Sequence, residues 1–205
     1  MSPRRRKVED VDVFAALVRV MKRRGPADLT LRAIAAEAGL TAGALVQRFG
    51  SKRALLLAHA RYAAATGDVG LTVPEPRTKS PLEELRSFAA VHAQLADSPR
   101  AALRNLAYLQ NDLADPALRR HLLRLARAAR AEIQQLLVDA VAKGELQADT
   151  EVETLARSIE ITLRGSFVSW TLYREGAAAS WLLEDLDATL RPHLSRSVSR
   201  ARRRR

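Results

Sequence analysis

The chain has 205 residues, of which 47% are hydrophobic, so it can bury a real core and wholesale disorder is excluded. It contains no cysteine, which excludes a disulfide framework, a cysteine-ligated zinc site and a thiol nucleophile. The formal net charge is +11, and most of it lies in two basic runs near the ends. We predict that these runs are a disordered arm over residues 1–7 and a disordered tail over residues 195–205.

The remaining charge divides unevenly along the chain. Residues 8–66 are basic overall, whereas residues 67–195 are mildly acidic. This division indicates a unit that binds a polyanion, joined to a body with another task. No apolar run approaches the roughly 18 residues of a membrane span. The basic N-terminus leads into a charged amphipathic stretch, unlike a signal peptide, so we expect a cytoplasmic protein with no membrane partner.

Helical periodicity and helix caps predict four helices in the first third of the chain. Thr30, Thr41 and Ser51 are placed as N-caps, and Gly39 suits the left-handed residue that follows a helix. The four helices are predicted over about residues 8–24, 31–38, 42–48 and 52–65. Their shared core is predicted to consist of Phe14, Leu17, Ile34, Leu45, Phe49 and Leu55.

Residues 67–80 contain two glycines and two prolines without a helical period, which predicts a linker or a surface loop. Three helix starts then share one pattern, in which a capping residue precedes a proline at the first helical position. The pairs are Ser80-Pro81, Ser98-Pro99 and Asp115-Pro116, and helices are predicted to follow over about 81–96, 99–112 and 116–143.

Two further helices are predicted over about 150–174 and 177–193. The first carries apolar residues on two faces, whereas a surface helix needs only one. We therefore predict that this pair packs on its own domain and on a second copy, as a homodimer. The alternative is an internal helix of a monomeric bundle. The predicted dimer contacts are Ile161, Val168, Leu172, Leu182, Leu183, Leu186 and Leu190.

The segment from Thr30 to Leu56 carries the most specific pattern in the chain. Its elements are Ile34-Ala35, Ala38-Gly39-Leu40, Gly43, Leu45, Phe49, Ser51-Lys52 and Leu55-Leu56. This pattern resembles the DNA-binding head of the TetR family of transcriptional regulators over about 55 residues, and the remainder is similar in helix number, length and order. One departure is Val46, which stands where the family usually has a tyrosine that touches a phosphate.

The resemblance implies an all-α fold with an N-terminal three-helix helix-turn-helix DNA-binding head. A C-terminal helical bundle for effector binding and dimerisation would occupy residues 81–194. It also implies a homodimer that binds a double-stranded DNA operator and an unidentified small-molecule effector. The predicted effector-pocket residues, most of which are also expected to be plain core, are Phe88, His92, Leu95, Leu106, Tyr108, Leu109, Leu122, Phe167 and Trp170.

The helix over 42–48 is the predicted recognition helix, whose N-terminus would enter the major groove. Gln47 can pair with adenine, and Arg48 with guanine or a phosphate. Gly43 costs about 1 kcal/mol relative to alanine within a helix, which is tolerable where the backbone approaches DNA closely. Lys52 and the free amides beside it can face a phosphate. The predicted DNA-binding residues are Thr30, Arg32, Thr41, Ala42, Gly43, Gln47, Arg48 and Lys52, although each can also be an ordinary solvated residue.

Motifs for catalysis are missing from the sequence. The four histidines lack the spacing of a metal site, and the chain has neither a phosphate-binding glycine loop nor a nucleophile elbow. We therefore predict no enzymatic activity, no cofactor and no metal. The predicted function is a sequence-specific regulator, a repressor that a small molecule releases from a pseudo-palindromic operator. Two alternatives remain: an architectural dimer that binds DNA non-specifically through basic tails, and an effector-binding scaffold with a degraded DNA head.

Overall fold

The computed structural model describes residues 8–66, 80–94 and 98–195, and these residues form nine α-helices and two single-turn 3-10 helices. The α-helices are α1 (Asp10–Arg23), α2 (Leu31–Glu37), α3 (Ala42–Phe49), α4 (Lys52–Thr66), α5 (Pro81–Ala93), α6 (Pro99–Ala114), α7 (Pro116–Ala142), α8 (Val152–Tyr173) and α9 (Ala178–Leu190). The all-α fold class is therefore confirmed, and every predicted helix is present with ends within a few residues of those predicted. The predicted arm, most of the predicted linker and nearly all of the predicted tail lie outside the described residues.

Side-chain caps begin several of these helices where the sequence places them. The hydroxyl oxygens of Thr30, Thr41 and Ser80 each accept a hydrogen bond of 3.1–3.2 Å from the amide three residues later. These bonds satisfy amides that would otherwise lack a partner within the helix. Gly39, two residues after the end of α2, has a φ of +69°, a conformation that glycine adopts at little cost. The α2–α3 turn is therefore built as the sequence predicts.

The described residues divide into two compact units. We call residues 8–66 with 103–122 the head unit, and residues 80–94, 98–102 and 123–195 the body unit. The head unit thus contains α1 to α4, the later part of α6 and the first turns of α7. The predicted boundaries place 103–122 in the body, and they do not anticipate this grouping.

The core of the head unit is formed mainly by α1 to α4. Its buried side chains are Val13, Phe14, Leu17, Val20, Leu29, Ile34, Ala35, Leu45, Leu55 and Tyr108. Five of the six predicted core residues belong to this set, and Phe49 packs against it partly buried. Ion pairs also join α1 to α2, because Glu37 accepts from Arg19 at 2.7 Å and from Arg23. The hydrogen bond from Arg19 lowers the pKa of Glu37 below its usual value.

Most of the predicted dimer contacts on α9 are buried in the core of the body unit. Leu182, Leu186 and Leu190 are buried in this core within a single chain, and Leu183 packs against it. A side chain that is already buried in its own chain has no surface left to bury against a second copy. Leu182, Leu186 and Leu190 are therefore corrected from dimer contacts to intrachain core residues, whereas Leu183 is only partly buried and stays a predicted contact.

Polar contacts tie the helices of the body unit together. Arg86 on α5 pairs with Asp187 on α9 at 2.9 Å. The hydroxyl of Ser166 on α8 donates to Asp185 on α9 at 2.6 Å. Both contacts lie beside the apolar core, where they fix the position of α9 against its neighbours.

Candidate DNA-binding site

Helix α3 presents a distinct outward face. Leu45 is fully buried in the head core, whereas Gly43, Val46 and Gln47 are exposed. These three residues share one side because residues three and four apart are neighbours on a helix. The exposed face therefore consists of the uncovered backbone of Gly43, the carboxamide of Gln47 and the aliphatic side chain of Val46. It can approach a groove closely and offer hydrogen bonds there.

Gly43 has no role in the packing of its own chain. A Cβ atom built at this position would meet only the Thr41 Oγ1, at 3.9 Å, which is an ordinary contact. Glycine within a helix is less stable than alanine by about 1 kcal/mol. The head unit therefore carries this cost without any internal reason for it.

Gly43→Ala is expected to stabilise the protein and to weaken DNA binding. The gain in stability should approach about 1 kcal/mol, because alanine loses less backbone entropy in a helix. Binding should weaken because the added methyl group faces the approaching DNA. Thermal unfolding and fluorescence anisotropy on the same preparation check both effects. A stabilised variant with unchanged DNA affinity would show that α3 does not approach DNA through Gly43.

The other predicted contact residues lie around α2, α3 and the start of α4. Thr30, Arg32, Thr41 and Lys52 are exposed, and Ala42 is half-buried at the first position of α3. The hydroxyl of Ser51 accepts from the Ala54 amide at 3.1 Å, which caps the turn that carries Lys52. Their roles toward DNA stay predictions.

Arg48 is exposed, but its guanidinium is held by contacts with other residues of the head unit. Its guanidinium donates to the Val8 carbonyl at 2.7 Å, forms an ion pair with Asp10, and lies 5.7 Å from the centroid of the Phe49 ring. These contacts tie the end of α3 to the start of α1. Arg48 would have to leave or share them in order to reach a base or phosphate. Sequence patterns do not indicate an ion pair between residues that are 38 positions apart.

A second ion pair, which the sequence does not indicate, joins α4 to the segment 103–122. Arg53 Nη2 donates to Asp115 Oδ1 at 3.0 Å, and a second bond joins Arg53 Nε to Oδ2. The same carboxylate caps α7 by accepting from the Ala117 amide at 2.8 Å. The hydrogen bond from Arg53 is the main reason that the pKa of Asp115 is lowered to about 2.

Asp112, one turn earlier on α6, is in the opposite situation. Burial raises its pKa to about 6, and the negative charge of Asp115 adds to this effect. Between about pH 4 and pH 6, the carboxyl group of Asp112 is therefore protonated in the folded protein and ionised in the unfolded chain. Ionised Asp112 opposes folding, so its destabilising effect grows as the pH rises through this window.

Asp112→Asn is expected to raise the free energy of unfolding at pH 7.5 by about 1 kcal/mol, a value reduced for solvent screening. The gain should disappear below about pH 4, where the carboxyl group is protonated in both states. Thermal or urea unfolding across pH measures the effect. Asp149→Asn, at an exposed position outside the helices, is the control. If the gain in stability persists at low pH, the charge of Asp112 is not its cause.

The predicted effector-pocket residues fall into both units. Leu106, Tyr108, Leu109 and Leu122 belong to the head unit, and Tyr108 is part of its core. Four others belong to the body unit, whereas Leu95 lies outside the described residues. The body residues are Phe88, His92, Phe167 and Trp170.

Three of the predicted pocket residues in the body unit are aromatic residues that lie in or against its core. Phe88 and Trp170 are buried, and Phe167 packs against the same core. His92 lies with its ring centroid 4.4 Å from that of Phe88, and its Nδ1 is 3.1 Å from the Phe88 carbonyl oxygen. Burial lowers the pKa of His92, which favours a neutral imidazole at neutral pH.

Helix α8 carries an exposed apolar stripe. Ile161, Val168 and Leu172 recur at positions i, i+7 and i+11, and Leu172 is 75% exposed. Gly165 lies between them, and apart from the backbone of α8 itself, no heavy atom of the described residues lies within 4 Å of a Cβ built there. The stripe is the second apolar face that the sequence predicts on this helix.

Within residues 8–66, 80–94 and 98–195, no group of three histidine, aspartate or glutamate side chains is arranged to hold a metal ion. Within the same ranges, no helix is both long and apolar enough to cross a membrane.

Family models match both units of the sequence. The model described as bacterial regulatory proteins of the tetR family matches residues 13–59, which include α2, α3 and the turn between them. The model described as a tetracyclin repressor-like C-terminal domain matches residues 107–186. Together these matches cover more than half of the chain. No curated protein matches the sequence significantly.

Solved structures of bacterial and archaeal regulators share the fold. A TetR transcription regulator from Haloarcula marismortui has a TM-score of 0.75 at 18% identity, with 91% of this chain and 98% of that chain covered. SmeT, the repressor of the Stenotrophomonas maltophilia multidrug efflux pump SmeDEF, has a TM-score of 0.67 at 20% identity, with 94% and 93% covered. A TetR-family regulator from Cytophaga hutchinsonii has a TM-score of 0.69 at 16% identity, with 90% and 94% covered.

Proposed function

Because the chain belongs to the tetR family of bacterial regulatory proteins, we propose that it is a homodimeric repressor that binds a specific operator. We further propose that a small molecule bound by the body unit releases it from that operator. The observation that carries the DNA-binding part is the outward face of α3. A capped α2–α3 pair presents Gly43 and Gln47 away from the core, where a major groove can receive them.

The exposed stripe on α8 supports a homodimer. Ile161, Val168 and Leu172 are aliphatic, lie on one side of a 22-residue helix, and expose about half or more of their surface. An isologous interface pairs the same stripe from both copies, and the lack of a side chain at Gly165 lets the two helices approach closely. Two heads related by a two-fold axis would read a pseudo-palindromic site with half-sites about 34 Å or more apart.

Family membership and the composition of the body unit support a small-molecule effector. Residues 107–186 match a tetracyclin repressor-like C-terminal domain, and SmeT, which shares the fold, is a repressor. Three predicted pocket residues of the body unit, Phe88, Phe167 and Trp170, would offer apolar surface to such a molecule. An effector releases DNA only if it binds the DNA-free state more tightly than the DNA-bound state.

Selection from a random-sequence duplex library tests the proposed function. The full chain should enrich one motif with two inverted half-sites, because a symmetric dimer reads each half-site in the same way. Compounds that raise the thermal midpoint of the free protein would then be screened for release of the enriched duplex. Recovery of a library without an enriched motif would contradict the proposal and favour binding through charge alone.

A further inference from the structure

The corner between α1 and α2 is held by a residue that is distant in the sequence. The hydroxyl of Tyr108, on α6, donates a hydrogen bond of 2.8 Å to the carbonyl oxygen of Arg24. The amide of Arg24 donates to the Val20 carbonyl at 2.8 Å, which closes the last turn of α1. Both backbone polar groups of Arg24 are therefore used, and the chain direction at the corner is fixed.

The buried position of Tyr108 and its protonated hydroxyl maintain this hydrogen bond. Its ring is buried in the head core with Leu29, which lies at the other end of the same corner. Burial raises the pKa of Tyr108 to about 12, so the hydroxyl remains a donor throughout the physiological pH range. The hydrogen bond to Arg24 therefore persists whenever the ring stays in place.

The side chain of Arg24 lines an open depression of about 470 Å³ on the head unit, together with Asp28 and Arg32. Two guanidinium groups against one carboxylate make this surface positive. Neither guanidinium forms an ion pair with a residue in the described ranges. Arg19 on α1, by contrast, already forms an ion pair with Glu37. The depression therefore offers both space for a ligand and two guanidinium groups that form no ion pair within the described ranges.

We propose that this depression binds a phosphate of the operator backbone through Arg24 and Arg32, and that Tyr108 is the positioning residue that aims Arg24. The inference rests on the proposed DNA-binding function. In helix-turn-helix proteins the first helix crosses the DNA backbone while the second enters the groove, and α2 is this first helix. Val46 has no hydrogen-bond donor on its side chain, so it cannot donate a hydrogen bond to a phosphate.

Salt-dependent anisotropy on the selected operator tests the phosphate site. Arg24→Ala is expected to raise Kd about 10-fold or more near 0.15 M salt, and to flatten the log–log salt slope by about 2, because a dimer loses two contacts. Arg24 is exposed, so this variant should fold. Arg127→Ala removes an exposed guanidinium from α7 and should change neither quantity. An unchanged Kd and slope for Arg24→Ala would overturn the proposal.

A double-mutant cycle tests the positioning role. Tyr108→Phe removes only the hydroxyl, and it should raise Kd several-fold in the wild-type background but not in the Arg24→Ala background. Equal weakening in both backgrounds, as expected from a merely structural effect, would overturn the positioning role. If Tyr108→Phe fails to fold, Arg24→Ala still decides the phosphate site.

A third variant separates this inference from the proposed function. If Lys52→Ala weakens operator binding while Arg24→Ala does not, the phosphate site is wrong and the DNA-binding function stands. If the wild-type chain enriches no motif, the proposed function fails and this inference fails with it.

Discussion

Val168→Glu is expected to convert the proposed homodimer into a monomer and to lower operator affinity by about 10²–10⁴-fold, because binding through two linked heads becomes binding through one. Val168 lies in the middle of the exposed α8 stripe. In an isologous interface the new carboxylate is introduced twice, and each copy would be buried without a partner. Analytical ultracentrifugation measures the association, and anisotropy measures the affinity.

Val138→Glu is a matched control for this substitution. Val138 on α7 and Val168 on α8 are both 48% exposed, so each substitution places the same charge on a similarly exposed helix surface. Val138→Glu should leave both the mass in solution and the operator affinity unchanged. A Val168→Glu variant that remains dimeric would show that the α8 stripe does not form the interface.

Lys52→Ala and Gln47→Ala are expected to weaken DNA binding in two different ways. Loss of Lys52 should weaken binding to all sequences by about 10-fold or more and reduce the salt slope by about 2, because one phosphate contact is lost per head. Loss of Gln47 should instead cost about 1–3 kcal/mol at one base pair per half-site, and relax the preference there. Anisotropy over a panel of single-base operator variants separates the two results.

Gln94→Ala is a control for the carboxamide, because Gln94 is exposed at the end of α5 in the body unit. It should leave the preference unchanged at every base pair. If neither Lys52→Ala nor Gln47→Ala alters binding, the outward face of α3 is not the surface that reads DNA.

Local signals in the sequence were sufficient to predict the helices. A cap such as Thr30 or Ser80 acts on an amide three residues later, so the residues that determine the helix start lie next to each other in the chain. The same holds for Gly39, whose positive φ follows from its place two residues after the end of a helix. The core of α1 to α4 was also predictable, because burial follows the helical period.

Contacts between distant segments could not be predicted in the same way. The apolar period of α6 shows that one face is buried, but it does not show that Tyr108 is buried in the head core. The leucines of α9 illustrate the same limit, since an apolar stripe has the same pattern whether it packs inside one chain or between two. The pair of Arg48 with Asp10 likewise depends on how α1 packs against α3.

Recognition of a particular DNA sequence by the head unit can be measured by competition anisotropy. The labelled, selected operator is bound at roughly physiological salt and then titrated with unlabelled operator or with unrelated duplex. A specific regulator should require about 10³-fold or more unrelated duplex than operator for the same displacement. Displacement by nearly equal amounts of the two duplexes would contradict sequence recognition by α3 and would indicate binding through charge alone.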